Sequence, residues 1–140
     1  MSESKVAIIR CPDPRLNMAI HHFVDQRWSM DQVVFVPSPG GCLLLSEPEL
    51  ERLPPFPFVN LDLAVRELKA RKIVQINNHR CLMYEKTYRN KAPDSILRHH
   101  HNHLRQAQGM LSTRYYNLDF ESHLAHHSLD GIVRFEHLQL

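Results

Sequence analysis

No stretch of the 140-residue chain is apolar over the length a membrane-crossing helix needs, and no leading apolar segment marks it for secretion. Blocks of Lys and Arg long enough to form a basic arm are also missing. With a formal charge of only +2, nothing in the electrostatics argues for a nucleic-acid partner. Cysteine is scarce: three residues, an odd number at irregular spacing, which points away from a disulfide framework and toward a reduced, cytoplasmic setting that suits thiolate ligands. Repeats and low-complexity tails are absent, and the one biased stretch is the histidine tract at residues 99–103. What is present, 43% hydrophobic residues over this length, fits a single domain, 1–140, with one core. The chain holds 11 histidines, so mild acid is expected to make its surface far more basic than the neutral count suggests.

The apolar pattern predicts an alternation of strands and helices. Val6, Ala7, Ile8 and Ile9 form a continuous run, as in a strand covered on both faces, and Pro12 and Pro14 end it. From Arg15 to Trp28, Leu16, Ala19, Ile20, Phe23 and Val24 recur at helical spacing. A second strand is expected over 32–36, before irregular backbone at Pro37, Pro39, Gly40 and Gly41. The proline-rich segment 46–58 reads as a crossing loop. Asn60 is a natural N-cap for a helix presenting Leu61, Ala64, Val65 and Leu68, and 73–76 is the third strand. A helix over 94–110 follows, then two extended runs around Asp130-Gly131, a strong hairpin signal. The sum is an α/β fold: a mostly parallel central sheet flanked by helices, with a C-terminal β-hairpin. Ligands in such sheets gather beyond the carboxyl ends of the strands, where Cys11, Gly40 and His79 all fall.

Those residues suit metal chemistry. Thiolate and neutral imidazole are the ligands that zinc prefers, and a catalytic zinc keeps one position open for water. Arg15 can hold the Asp13 carboxylate in a fixed fork and keep it ionised. Each residue also has a plainer reading: Cys11 as a buried structural thiol, Asp13 and Arg15 as a surface pair, His79 as a hydrogen-bonded loop residue.

A strand-terminal Cys11-x-Asp13-x-Arg15 followed by a later strand-terminal His79 and nearby Cys81 resembles the β-class carbonic anhydrases. Their zinc ligands are carried by Cys-x-Asp-x-Arg and His-x-x-Cys. The first motif matches letter for letter, the segment 33–41 looks like that family's strand and Gly-Gly turn, and the order extends across most of the chain. The second motif departs from the pattern, because Leu82 stands three residues after His79 and Cys81 comes one position early. The resemblance implies zinc on Cys11, His79 and Cys81, with Asp13 or a water as fourth ligand; Cys42, directly after Gly-Gly, reads as a core thiol and is the fallback third donor. It implies Asp13 and Arg15 as the catalytic orienting pair, carbon dioxide and bicarbonate as substrates, and a homodimer or higher homo-oligomer. It also covers a related zinc hydrolase of carbonyl sulfide or carbon disulfide. The shortened spacing favours a rival, a non-catalytic metal-binding or regulatory protein on the same fold. His99 and His103, four apart, offer a second metal pair against the simpler reading of a solvated flank with His100 turned inward. His123, His126 and His127 are assigned no role.

Overall fold

The computed structural model describes residues 4–38, 40–41, 56–88, 91–128 and 130–140, with backbone only at 56, 57, 82 and 83. Strand β1 (Lys5–Arg10) is followed by a 3-10 turn at Pro14–Leu16 and helix α1 (Asn17–Asp25). A second 3-10 turn, Met30–Gln32, leads into β2 (Val33–Pro37). Helix α2 (Phe56–Asp62) runs on into a π-helical turn, Leu63–Glu67, before β3 (Ala70–Asn78). Short α3 (Leu82–Thr87), long α4 (Pro93–Arg114), β4 (Asp119–His127) and β5 (Val133–Leu138) complete the order.

The five strands form one sheet in the order β2-β1-β3-β4-β5. β1 pairs in parallel with β2 and β3, β3 in parallel with β4, and β5 returns antiparallel to β4. The expected parallel core and C-terminal hairpin are therefore present, and Gly131, with φ of 80°, supplies the left-handed residue of the turn. Alternate residues of each strand face opposite sides. Ala7, Ile9, Ile73 and Leu124 pack against Leu61, Ala64, Leu104, Ala107 and Leu111 from α2, the π-turn and α4. Val6, Ile8, Val74 and Ile76 pack against Leu16, Ile20 and Val24 beneath α1. Both faces are covered, which is why these strands read as continuous apolar runs. Among the described residues no helix is long and apolar enough to cross a membrane.

Three expectations need correction. The first helix is shorter than 15–28, because Asp13 accepts from the Arg15 backbone N–H and caps a 3-10 turn, and the helix stops at Asp25. Asn60 is not an N-cap; it lies inside α2, which begins at Phe56. The histidine tract is not mainly solvated: His100 and His103 are buried beside Leu104 on the inner face of α4. Most of the proline-rich segment, together with Pro39 and Cys42, falls outside the described residues.

Candidate metal centre

The chain passes from β1 to β2 on one side and then crosses to β3 on the other, so the carboxyl ends of β1 and β3 meet where strand order reverses. Cys11 directly follows β1. Cys81 follows β3 by way of a tight turn in which its N–H donates to the Asn78 carbonyl at 3.1 Å. Both cysteines are buried, and their sulfurs lie 3.6 Å apart. The shared proton between the two sulfurs and then burial push the Cys11 thiol up from its ordinary range, while the backbone N–H groups of Asp13 and Gly40 pull the other way. Gly40 and Gly41, with φ of 75° and 64°, turn the chain after β2 against this edge, and a Cβ at Gly41 would collide with the Asn77 amide oxygen.

Asp13 and Arg15 form the expected pair. Arg15 Nη2 donates to Asp13 Oδ2 at 2.6 Å, and its Nε reaches both carboxylate oxygens at 3.0 and 3.1 Å. These bonds hold the Asp13 carboxyl below the usual carboxylate range. Arg15 also donates to the Arg80 carbonyl at 3.0 Å, clamping the turn that carries Cys81. The buried Arg10 adds a bond to Asn17 Oδ1 at 2.7 Å and one to the Cys11 carbonyl at 3.1 Å.

His79 sits elsewhere. Its backbone N–H bonds to the Ala125 carbonyl at 2.9 Å, and its ring packs 5.1 Å from that of His126 and 6.4 Å from that of His100. Burial, then the nearby charges of His126 and Arg80, lower its pKa. Among the described residues, the trio of His, Cys, Asp or Glu whose ligand atoms lie within 4.8 Å of one another is Glu121, His123 and His137, and Cys11, His79 and Cys81 do not make a second one. The Glu121 trio stands at the start of β4, away from this edge, and its carboxylate is held by Arg27 at 2.6 Å and Lys72 at 2.7 Å.

The side chain that does face the site is Asn78, the last residue of β3 and fully buried. Its Nδ2 donates to Asp13 Oδ2 at 3.2 Å, and its Oδ1 accepts from the Arg80 N–H at 3.1 Å and from His127 Nε2 at 2.8 Å. Asn78 is three residues before Cys81. Counting back from Cys81 instead of forward from His79 finds the x-x spacing intact, with an amide where the resembling motif has its histidine. His127, assigned no role from the sequence, belongs to this cluster; it ends β4, whose pairing with β3 sets Ala125 beside Asn78.

The histidine tract is structural in this arrangement. His99 stacks on Tyr88 at 3.9 Å, His100 stacks on Tyr84 at 3.7 Å, and His103 Nδ1 lies 2.8 Å from the Tyr84 hydroxyl.

No family model and no curated protein matches the sequence. The chain is similar in structure to the β-carbonic anhydrase CcaA, at 10% identity and a TM-score of 0.62 over all of this chain and 80% of that one. Carbonic anhydrase from Streptococcus mutans gives 15% identity and 0.57 over 96% and 86%. A tetrameric β-carbonic anhydrase from Sordaria macrospora gives 12% and 0.51 over 100% and 83%. The fold is that of the β-carbonic anhydrases. On this carbonic-anhydrase fold the fit of zinc can be tested directly. Two thiolates on a tetrahedral zinc with bonds of about 2.3 Å stand about 3.8 Å apart, and the observed 3.6 Å matches that bite. The third donor does not fit. The Asn78 amide nitrogen has no lone pair to give, and its oxygen already accepts two hydrogen bonds. Among the described residues this edge supplies two thiol donors, where a catalytic zinc takes three protein ligands.

Proposed function

We propose that this chain is a carbonic-anhydrase-like protein that does not hydrate carbon dioxide, a binding or regulatory member of the fold whose thiol pair holds a soft metal ion only loosely. The observation that carries this is Asn78: a buried amide, bonded to Asp13, His127 and Arg80, at the position where the resembling His-x-x-Cys motif, counted back from Cys81, has its histidine. The Asp13 carboxylate is likewise engaged, with both oxygens taken by Arg15 and one also by Asn78. Its role here is to hold the turn after β1 against the end of β3.

The thiol spacing and the intact Asp13-Arg15 pair favour a second reading, in which the third ligand is His79 after a shift of the 79–80 turn and the protein is a zinc enzyme acting on carbon dioxide or another small linear molecule. Buried thiols that need a reducing setting support a cytoplasmic location, and the tetramers among the structural neighbours support a homo-oligomer. Metal content per chain, on protein purified without added metal, followed by stopped-flow carbon dioxide hydration on the same sample, separates the readings. Substoichiometric zinc and no hydration are expected. About one zinc per chain with hydration would establish the enzyme instead.

A further inference from the structure

We infer that, among the described residues, Asn78 is the one that withholds a tight soft-metal site at this edge, and that a soft donor placed at position 78 completes a three-ligand centre with Cys11 and Cys81. The inference rests on the non-hydrating reading and names its cause.

Three features of the edge are already those of a metal centre. The two sulfurs are buried and set at the zinc bite, on different elements, each held by its own backbone turn. Position 78 ends a central strand and is in register with Ala125 of β4, so its Cα is fixed by the sheet. Polar partners stand ready behind it. Asp13 Oδ2, clamped by Arg15, now accepts from the amide, and a carboxylate in that place is the usual acceptor for the outer N–H of a ligating imidazole.

Asn78 itself is the mismatch. An amide oxygen is a hard donor that suits calcium or magnesium, whereas paired thiolates select softer ions. Its hydrogen bonds to Asp13, Arg80 and His127 form without a metal, which explains how a buried polar side chain is tolerated here. His127 Nε2 carries the hydrogen donated to Asn78 Oδ1, so that nitrogen offers no lone pair to a metal while the bond stands.

The test is a cobalt(II) titration of the full chain under reducing, oxygen-free conditions. It reads the near-ultraviolet thiolate-to-cobalt charge-transfer band and the visible bands of tetrahedral cobalt. Wild type, Asn78→His and Asn78→Cys are compared, with Cys11→Ser added to each variant as a control. Cysteine is close to asparagine in size and keeps the measurement available if histidine prevents folding. Asn78→His or Asn78→Cys should bind one cobalt per chain at least about tenfold more tightly than wild type, with both bands present and the charge-transfer band weakened by Cys11→Ser. A folded Asn78 variant that binds no more tightly than wild type overturns the inference. So does a wild-type chain that already shows the full spectrum and loses it on His79→Ala. Hydration by wild-type protein, by contrast, is the outcome that sinks the functional reading, and it is read in a separate assay on unsubstituted protein.

Discussion

The amide nitrogen of Asn78 lies 3.2 Å from the carboxylate Oδ2 of Asp13, joining the end of β3 to the turn after β1. On its other side the same amide accepts the Arg80 N–H and His127 Nε2, so one side chain organises three segments. Replacing Asn78 with Ala leaves two donors and part of a carboxylate without partners in a buried place. A loss of about 1–3 kcal/mol in urea unfolding is expected. A change below about 0.3 kcal/mol would mean that water substitutes freely and that the cluster is not closed.

Acid should weaken the protein through His100. Burial, then the neighbouring His79 and His103, hold its pKa down to about 3. The folded state keeps it neutral, while the unfolded chain takes up a proton below about pH 6.5. Its contribution is therefore complete above that value and is lost as pH falls from about 6.5 toward 3, at up to about 1.4 kcal/mol per pH unit. In His100→Phe the stacking on Tyr84 is kept and the acceptor for Asn77 is lost. The variant should be less stable at pH 8, with a flatter decline between pH 6.5 and 5. An unchanged slope would place the titration elsewhere.

Gly41 and Gly131 both have positive φ, at 64° and 80°, but only Gly41 has a neighbour in the way. Alanine at Gly131 meets open space and should cost about 1 kcal/mol from backbone strain alone. At Gly41 the same change adds a collision with the Asn77 amide and the Ile76 carbonyl, so a loss of more than about 2 kcal/mol is expected. Equal losses in thermal unfolding would show that the Gly41 turn yields.

Glu121 receives Arg27 on both oxygens, Lys72 on one and His123 on the other. The Arg27 bonds foremost hold its carboxyl well below the usual range. The stability this gives is present above the ordinary glutamate pKa of about 4.3 and lost as pH falls through and below it. Glu121→Gln should lower stability at pH 7 by about 1–2 kcal/mol, water screening included, and the difference from wild type should shrink below about pH 4. A gap that stays the same size from about pH 6 down to the lowest pH at which the fold survives would argue for packing over charge.

The sheet was legible because its signals are local. Val6 to Ile9 form an apolar run with proline behind it, and Asp130-Gly131 is a turn that few other dipeptides make as readily. Even the edge that collects Cys11, Gly40 and the 78–81 turn followed from strand order. The π-turn at Leu63–Glu67 was not legible, since apolar residues at 61, 64, 65 and 68 fit an ordinary helix equally well. The third donor position was read forward from His79, the expected residue type, whereas counting back from Cys81 the spacing points to Asn78. His100 and His103 share a stripe with Leu104, Ala107 and Leu111, a periodic signal that covered His103 as well as His100. His127 enters because the pairing of Ala125 with Asn78 brings the end of β4 beside the end of β3, a relationship no single-strand pattern contains.

That pairing also shapes how the chain reaches its native state. β1 lies between β2 and β3, with Lys5 beside Ala70 and Arg10 beside Ile76, and every parallel contact in the sheet joins residues far apart in sequence. Only the β4-β5 hairpin can close without waiting for a long segment to be ordered. Non-local pairing of this kind is slow, because loop entropy is spent before any contact repays it. The same crossing that brings Cys11 and Cys81 together at one edge thus ties their meeting to the slow, non-local pairing of β1 with β3.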